Sequence, residues 1–279
     1  MTVLRLADAG EAADLAAFLA RLIHYDRGAA VRLQAGGGVL AVFGRPPSFE
    51  VLAIRTARLA PGAAGTSEAV GAAGGGRALA LDVTVSAGEL LEGIAEAGGL
   101  VTVPAAVTGP PWAGVLPPRG GWRRVPGLPA PEALVRAVSA AVAEFRARDE
   151  ALPPERRTRT ERDRIGREIW SRTLGDTELP LRAVHAAQAL GFLRGTRAGA
   201  MAGAVSGNGA VAGARPDADG SGSAAGSDSA AGSGTRAPAL ALLAASGWLR
   251  LSTPYGSVAV RASGPVGLSG LSGLTVTPV

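Results

Sequence analysis

An α+β fold is predicted, built as two small helix-plus-antiparallel-sheet units with a helical middle region and a disordered Gly/Ala/Ser insertion. Three observations carry that prediction. Apolar residues recur at helical spacing behind cap signals in 10–25 and 132–148. Short apolar runs face each other across glycine-containing turns at 30–43 and 248–261. Two tracts, 61–77 and 195–237, are made largely of Gly, Ala, Ser and Asp, with too little bulky apolar surface to offset the entropy of ordering. The expected organisation is an N-terminal α+β unit at 1–105, with 61–77 as a flexible insertion. A Pro/Trp-rich connection follows at 106–130, then a C-terminal helical and β-hairpin unit at 131–279, with 195–237 as a disordered tether.

Each element has a local reason. Asp8 and Glu11 stand in capping-box spacing before a helix over 10–25, whose inward face is Leu15, Phe18, Leu19, Leu22 and Ile23. Strands at 30–34 and 39–43 flank Gly36, Gly37 and Gly38, which permit positive φ. Two further strands are expected at 49–59 and 78–86, with the first insertion between them. Ser86 and Glu89 form a second capping box, opening a short helix through Leu90, Leu91 and Ile94. Pro131 suits the first turn of a helix over 132–148 that buries Leu134, Val138, Val142 and Phe145. Helices are expected at 160–174 and, after Pro180, at 181–193. Residues 240–245 read as helical, and strands follow at 248–252 and 257–261. A gapless alignment places Arg32-Leu33, Gly38 and Ala41-Val42 on Arg250-Leu251, Gly256 and Ala259-Val260, a weak internal repeat that compositional bias also explains.

Composition removes whole classes of chemistry. All 28 residues counted as Lys plus Arg are arginine, and cysteine is absent. Phosphate-binding loops with their lysine, Schiff-base and pyridoxal enzymes, and protein kinases all need the missing amine. Thiol catalysis, zinc ribbons and thiolate iron-sulfur sites need the missing thiol. The sequence pI of about 10.9 is a consequence of the same gap. Only Tyr25, Tyr255 and the α-amino group titrate between roughly pH 7.5 and 11, so a modest positive charge persists to very high pH; at pH 7 the formal net charge is +5. That charge is mild for 279 residues.

Segment 1–23 carries Asp8, Glu11 and Asp14 and lacks a basic region before an apolar block, so it does not read as a signal peptide. The uncharged stretches 198–214 and 262–279 are too rich in Gly, Ala, Ser and Pro for membrane spans. The expected setting is cytoplasmic, with no membrane association.

The densest local signal is 108–124, where Trp112 and Trp122 stand among paired prolines. Stiff presentation of two large amphipathic rings makes Trp112, Arg119 and Trp122 candidate binding residues, with Arg123 and Arg124 as further anion contacts. The other reading of the same run is a proline-stiffened connection whose tryptophans lid the core between the halves. The block 144–172 holds nine arginines and seven acids. Six Arg–acid pairs within 155–172 have i,i+4 spacing, the pattern of a self-neutralised helix face. Its alternative is nucleic-acid binding through Arg156, Arg157, Arg159 and Arg164. His24 and His185 belong to no HxxxH or HExxH pattern, no Gly-x-Ser-x-Gly elbow occurs, and no metal or cofactor is expected. Glu89, Glu92 and Glu96 share one side of the short predicted helix, but capping and solvent exposure account for them. An enzyme using Ser, His or carboxylates, with His24 and Asp26 as a starting point, is the third function class.

The run Gly109-Pro110-Pro111-Trp112-Ala113-Gly114-Val115-Leu116-Pro117-Pro118-Arg119, with Gly121-Trp122, resembles a motif of uncharacterised proteins of G+C-rich actinomycete bacteria. The run Asp163-Arg164-Ile165-Gly166-Arg167-Glu168-Ile169-Trp170 and the turn Pro254-Tyr255-Gly256 are similar to that group too. The resemblance implies lineage and a cytoplasmic setting, and brings no activity or cofactor. The leading expectation is a non-catalytic protein-interaction or regulatory protein with a protein partner.

Overall fold

A computed structural model describes residues 2–61, 81–194 and 240–262. The expected insertion past residue 61, the tether at 195–237, residues 78–80 of an expected strand and the stretch 263–279 lie outside the described residues. The elements in chain order are β1 (Thr2–Arg5), α1 (Ala9–Tyr25), β2 (Ala30–Gly36), β3 (Val39–Gly44), β4 (Leu52–Arg58), β5 (Leu81–Ser86), α2 (Ala87–Glu92), β6 (Ile94–Ala95) and β7 (Leu100–Val103). After a long connection come β8 (Arg123–Val125), α3 (Pro131–Glu150), α4 (Arg159–Trp170), α5 (Leu181–Ala189), β9 (Ala241–Ala245), β10 (Trp248–Thr253) and β11 (Gly256–Arg261).

Helices accompany antiparallel sheets, as the α+β expectation required. Eight strands form one sheet in the order β5-β2-β3-β4-β11-β10-β9-β8, and three form a smaller one, β1-β7-β6. Each half of the chain therefore contributes four neighbouring strands to the large sheet. They meet where Leu52, Ala53 and Ile54 pair with Ala259, Val258 and Ser257. The small sheet is tied to the outer end of β4 by the Leu6–Leu59 bridge and by Ala60 N–H donating to the Arg5 carbonyl at 2.9 Å.

Local signals set most boundaries. Asp8 caps α1 by accepting from the Glu11 N–H at 2.9 Å, and Ser86 and Thr158 cap α2 and α4 in the same way. Gly37 and Gly38, at φ 59° and 76°, close the β2–β3 turn. Pro131 opens α3, where its missing N–H costs no helical hydrogen bond.

Four expectations need correction. Residues 240–245 are not helical, because β9 pairs with β10 on one side and β8 on the other, and cross-strand packing overrides a weak helical preference. The helix expected over 160–174 ends at Trp170, after which Thr173 bridges back to Pro180. The one expected over 181–193 ends at Ala189, with Gly191 in the left-handed region at φ 74°. Helix α2 stops at the capping residue Gly93, so Glu96 is not on it. The small sheet has no counterpart in the sequence reading.

One core lies between the inner face of the large sheet and the helices. Leu15 and Leu22 of α1, Leu33 of β2, Ala183 and Ala187 of α5, Leu251 of β10 and Val258 of β11 all belong to it. Each large aliphatic side chain buried this way contributes roughly 1.5–3 kcal/mol before entropy is counted. Helix α1 packs on β4 and α5 on β11, and Phe18 stacks on Phe192 at 5.6 Å between centroids.

Arg55 fastens the same junction. Its side chain is 8% exposed, and Nη2 donates to Asp14 at 3.0 Å and Glu11 at 3.2 Å on α1. Nη1 donates to the Tyr255 carbonyl at 2.8 Å, in the turn before β11.

Gly256 leaves room for the Phe192 ring, since an added Cβ would sit 2.6 Å from its nearest carbon. Phe192 is itself buried and stacked, so it cannot give way. Gly256→Ala is expected to lower stability by about 1–3 kcal/mol, the usual cost of overpacking. Gly114→Ala, with nothing within 4 Å, should stay within about 0.5 kcal/mol. Thermal and urea unfolding of the two variants checks the contrast.

Candidate functional site

The connection between β7 and β8 must cross the large sheet, because β5 and β8 lie at its opposite edges. Seven strand spacings of ~4.8 Å separate those edges by roughly 34 Å, well within the reach of the chain between Val107 and Arg123. Helices fill one sheet face, so this strap takes the other. It is anchored at one edge by Val107 N–H donating to the Thr84 carbonyl of β5 at 2.9 Å, and at the other it becomes β8. A 3-10 turn over Pro111–Gly114 directs Trp112 downward, and the carbonyl of buried Ala113 accepts from Nη1 of Arg32.

Beneath the strap lies a second apolar cluster of Phe43, Leu52, Ile54, Trp248 and Ala259. Trp112, Leu116 and Trp122 pack against it from above. Both rings of the candidate pair are thus half-buried on the sheet, while Arg119 between them is exposed. The Trp122 indole N–H donates to the Pro118 carbonyl at 3.0 Å, which fixes that ring within the strap.

The roof does not close everywhere. Small residues of the β2–β3 hairpin, among them Ala35, Gly36 and Ala41, leave a cavity of about 450 Å³. Its walls include Phe43, Ile54, Pro117 and Pro118, and its polar groups are Gln34, Thr56, Arg119 and Arg250. A smaller cavity of about 290 Å³ is lined by Trp112, Arg182, Trp248 and Arg261.

The charges around the larger cavity differ in how far they are already used. Arg32 is fully engaged, with Nε and Nη2 on the Asp82 carboxylate at 2.7 and 2.9 Å. Those hydrogen bonds outweigh burial and hold the Asp82 carboxyl below its usual range. Arg250 is different. Its Nε donates to Ser257 Oγ at 2.8 Å, its guanidinium lies 5.6 Å from the Trp122 ring centre, and no carboxylate partners it among the described residues. Burial without an opposite charge pushes its pKa below the ordinary value. Arg119 likewise has no ion pair among the described residues.

The other sequence candidates are placed elsewhere. Arg156 lies 3.6 Å from Glu161, Arg157 donates to the carbonyls of Leu152 and Glu150, Arg159 lies 3.8 Å from Asp163, and Arg164 lies 2.6 Å from Glu161. Of the six i,i+4 pairs, Arg159–Asp163, Arg164–Glu168 and Glu168–Arg172 come within 4 Å. Other contacts join α3 to α4, through Arg148 and Glu168 at 2.8 Å and Arg162 and Asp149 at 2.7 Å. The Arg148 hydrogen bond holds Glu168 down to about 2.

His24 packs edge-on against Tyr25, and Asp26 turns back to accept from the Gly28 N–H at 2.9 Å. Asp26 lines a polar cavity of about 470 Å³ with Ser86 and Thr108, and His24 does not. His185 stacks on Trp170 at 4.3 Å and meets Phe49 edge-on. Among the described residues no group of three or more His, Cys, Asp or Glu could hold a metal ion, and no helix is long and apolar enough to cross a membrane. Arg250 was absent from the sequence candidates. Its only signal was a charge between Leu249 and Leu251, which alternation places on the face away from the core.

Residues 117–265, more than half of the chain, match the family described as Domain of unknown function (DUF8185). The chain belongs to that family. Residues 1–114 match a second family, Domain of unknown function (DUF8010), so the DUF8010 and DUF8185 matches meet inside the strap. Neither a curated protein nor a solved structure matches the chain.

Burial lowers the pKa of His185 in this DUF8185 member below the ordinary ~6.5. Above that value both folded and unfolded chains are neutral at this site. As pH falls through it, the unfolded chain takes up the proton first, so stability declines until the folded-state pKa is passed. Tm measured from pH 7 to 5 should therefore fall in the wild type and fall less in His185→Phe. Parallel curves for the two proteins would contradict this.

Proposed function

We propose that the protein is a non-catalytic binding protein, cytoplasmic in setting, that recognises its partner through the strap-covered face of the large sheet. The observation that carries this reading is Arg250, a half-buried guanidinium without a carboxylate partner among the described residues, which lies against Trp122 and lines the cavity of about 450 Å³. A cation kept partly out of water without an internal counter-charge is costly unless something outside the chain uses it. Trp112, Arg119 and Trp122 then act as strap-borne contacts, rigid rings beside an exposed cation.

The nucleic-acid reading is less favoured, because Arg156, Arg157, Arg159 and Arg164 each already engage an acid or a carbonyl. Release of counterions requires cations free to take phosphates. The enzyme reading lacks convergence, since His24 does not reach the cavity that Asp26 lines.

Co-purification of the full chain with Trp112→Ala and Trp122→Ala tests the proposal. The variants should keep their circular dichroism and lose at least tenfold of any specifically retained partner. An unchanged partner set from folded variants would sink it.

A further inference from the structure

We propose that the cavity of about 450 Å³ beneath the strap takes a small organic monocarboxylate, its carboxylate on the Arg250 guanidinium and its apolar body against Phe43, Ile54 and Pro117. This rests on the reading of that face as a binding surface and adds the chemical class of the ligand.

The Arg250 side chain is prepared for a planar, two-oxygen acceptor. Ser257 occupies Nε and the Trp122 ring lies over the guanidinium, so the group is oriented before any ligand arrives. Neither Nη donates to a protein acceptor among the described residues, and Arg250 lines the cavity. A guanidinium presents such paired donors in a fixed fork that matches a carboxylate. Arg32, two strands beyond the seam side of the cavity, offers no such fork because Asp82 and the Ala113 carbonyl occupy it.

The remaining walls select the rest of the ligand. Most of the lining is apolar, and the volume falls in the range of small-molecule sites, about 300–1,000 Å³. Arg119 at the edge is exposed and screened by water, so Arg250, half-buried and oriented, is the one cation of the lining presented out of solvent. A single negative charge matches it, which favours a monocarboxylate over a phosphate dianion.

Calorimetric titration of the full chain with octanoate, 3-phenylpropanoate, 1-octanol and inorganic phosphate tests this, with tryptophan fluorescence as a second readout of Trp122. The carboxylates should bind and perturb the fluorescence, with the alcohol at least tenfold weaker. Arg250→Gln should weaken the carboxylates at least tenfold. Ala41→Phe, which fills the floor and leaves both arginines in place, should abolish binding while the fold persists. Should Arg250→Gln fail to fold, Arg119→Gln on the exposed strap supplies the charge test and should cost several-fold. No carboxylate binding up to ~1 mM, equal binding of acid and alcohol, binding of phosphate alone, or an unaffected Ala41→Phe would each overturn the proposal. Partner loss in the tryptophan variants without any carboxylate binding would remove this inference and leave the proposed function standing.

Discussion

Pairing of β4 with β11, through Leu52–Ile54 and Ser257–Ala259, turns two short meanders into one eight-stranded sheet, and the rest of the structure depends on it. With that seam in the middle, β5 and β8 become opposite edges. The chain between them then has no course except across the sheet, on the face the helices leave free. The seam itself is short, so it needs support from both layers. Arg55 supplies part of it, reaching from β4 to two carboxylates on α1 and to the Tyr255 carbonyl of the other half. The stacked Phe18 and Phe192, one from each half, supply another part on the same side. Two small α+β units that looked separable along the chain thus share one core.

Much of this was legible in the sequence, and what was not has identifiable causes. The caps at Asp8 and Ser86, the glycine turn at 36–38 and the hairpin after Trp248 are local chemistry, and they form where local chemistry places them. Residues 240–245 went the other way because a strand wedged between two partners obeys its neighbours rather than its own weak preference. For Trp112 and Trp122 the sequence offered two readings, binding contact or lid over packed side chains. Both rings rest on an apolar cluster; Trp112 also walls the open space of about 290 Å³ beside it, and Trp122 lies against the Arg250 guanidinium. Arg250 was invisible for a different reason. What distinguishes it is a missing partner, and absence of an ion pair can be seen only in three dimensions.

Arginine serves three separate purposes here, in a chain that has no lysine to share them. Between α3 and α4 it makes exposed interhelical pairs such as Arg148 with Glu168, each of modest worth in water. At Arg55 and Arg32 it bridges elements through several donors at once, which the planar guanidinium does better than an ammonium. At Arg250 the same geometry is oriented by Ser257 and Trp122 and then left open. The density of arginine along the sequence points to the first group, yet the proposed site rests on the third. Charge pairing, not charge count, is what singles out Arg250.

The seam also bears on the unequal sizes of the cavities of about 450 and 290 Å³ under the strap. A two-fold axis through the β4–β11 pairing relates β2-β3-β4 to β9-β10-β11, which is one strand out of step with the gapless alignment of Arg32 on Arg250. Registers on either side of the axis put Ala41 opposite Thr56 in one half and Trp248 opposite Arg261 in the other, at equivalent positions of the sheet face. The large pair packs upon itself, with the Arg261 guanidinium 4.4 Å from the Trp248 ring centre, and leaves about 290 Å³ beside it. The small pair leaves about 450 Å³ under the same strap. By the same registers Phe43 corresponds to Arg250, so equivalent places on the sheet hold an apolar wall on one strand and the open cation on the other. An approximately symmetric sheet, roofed by a single asymmetric strand of chain, arrives at a polar-ended, apolar-walled space by differing at three positions, Ala41, Thr56 and Arg250.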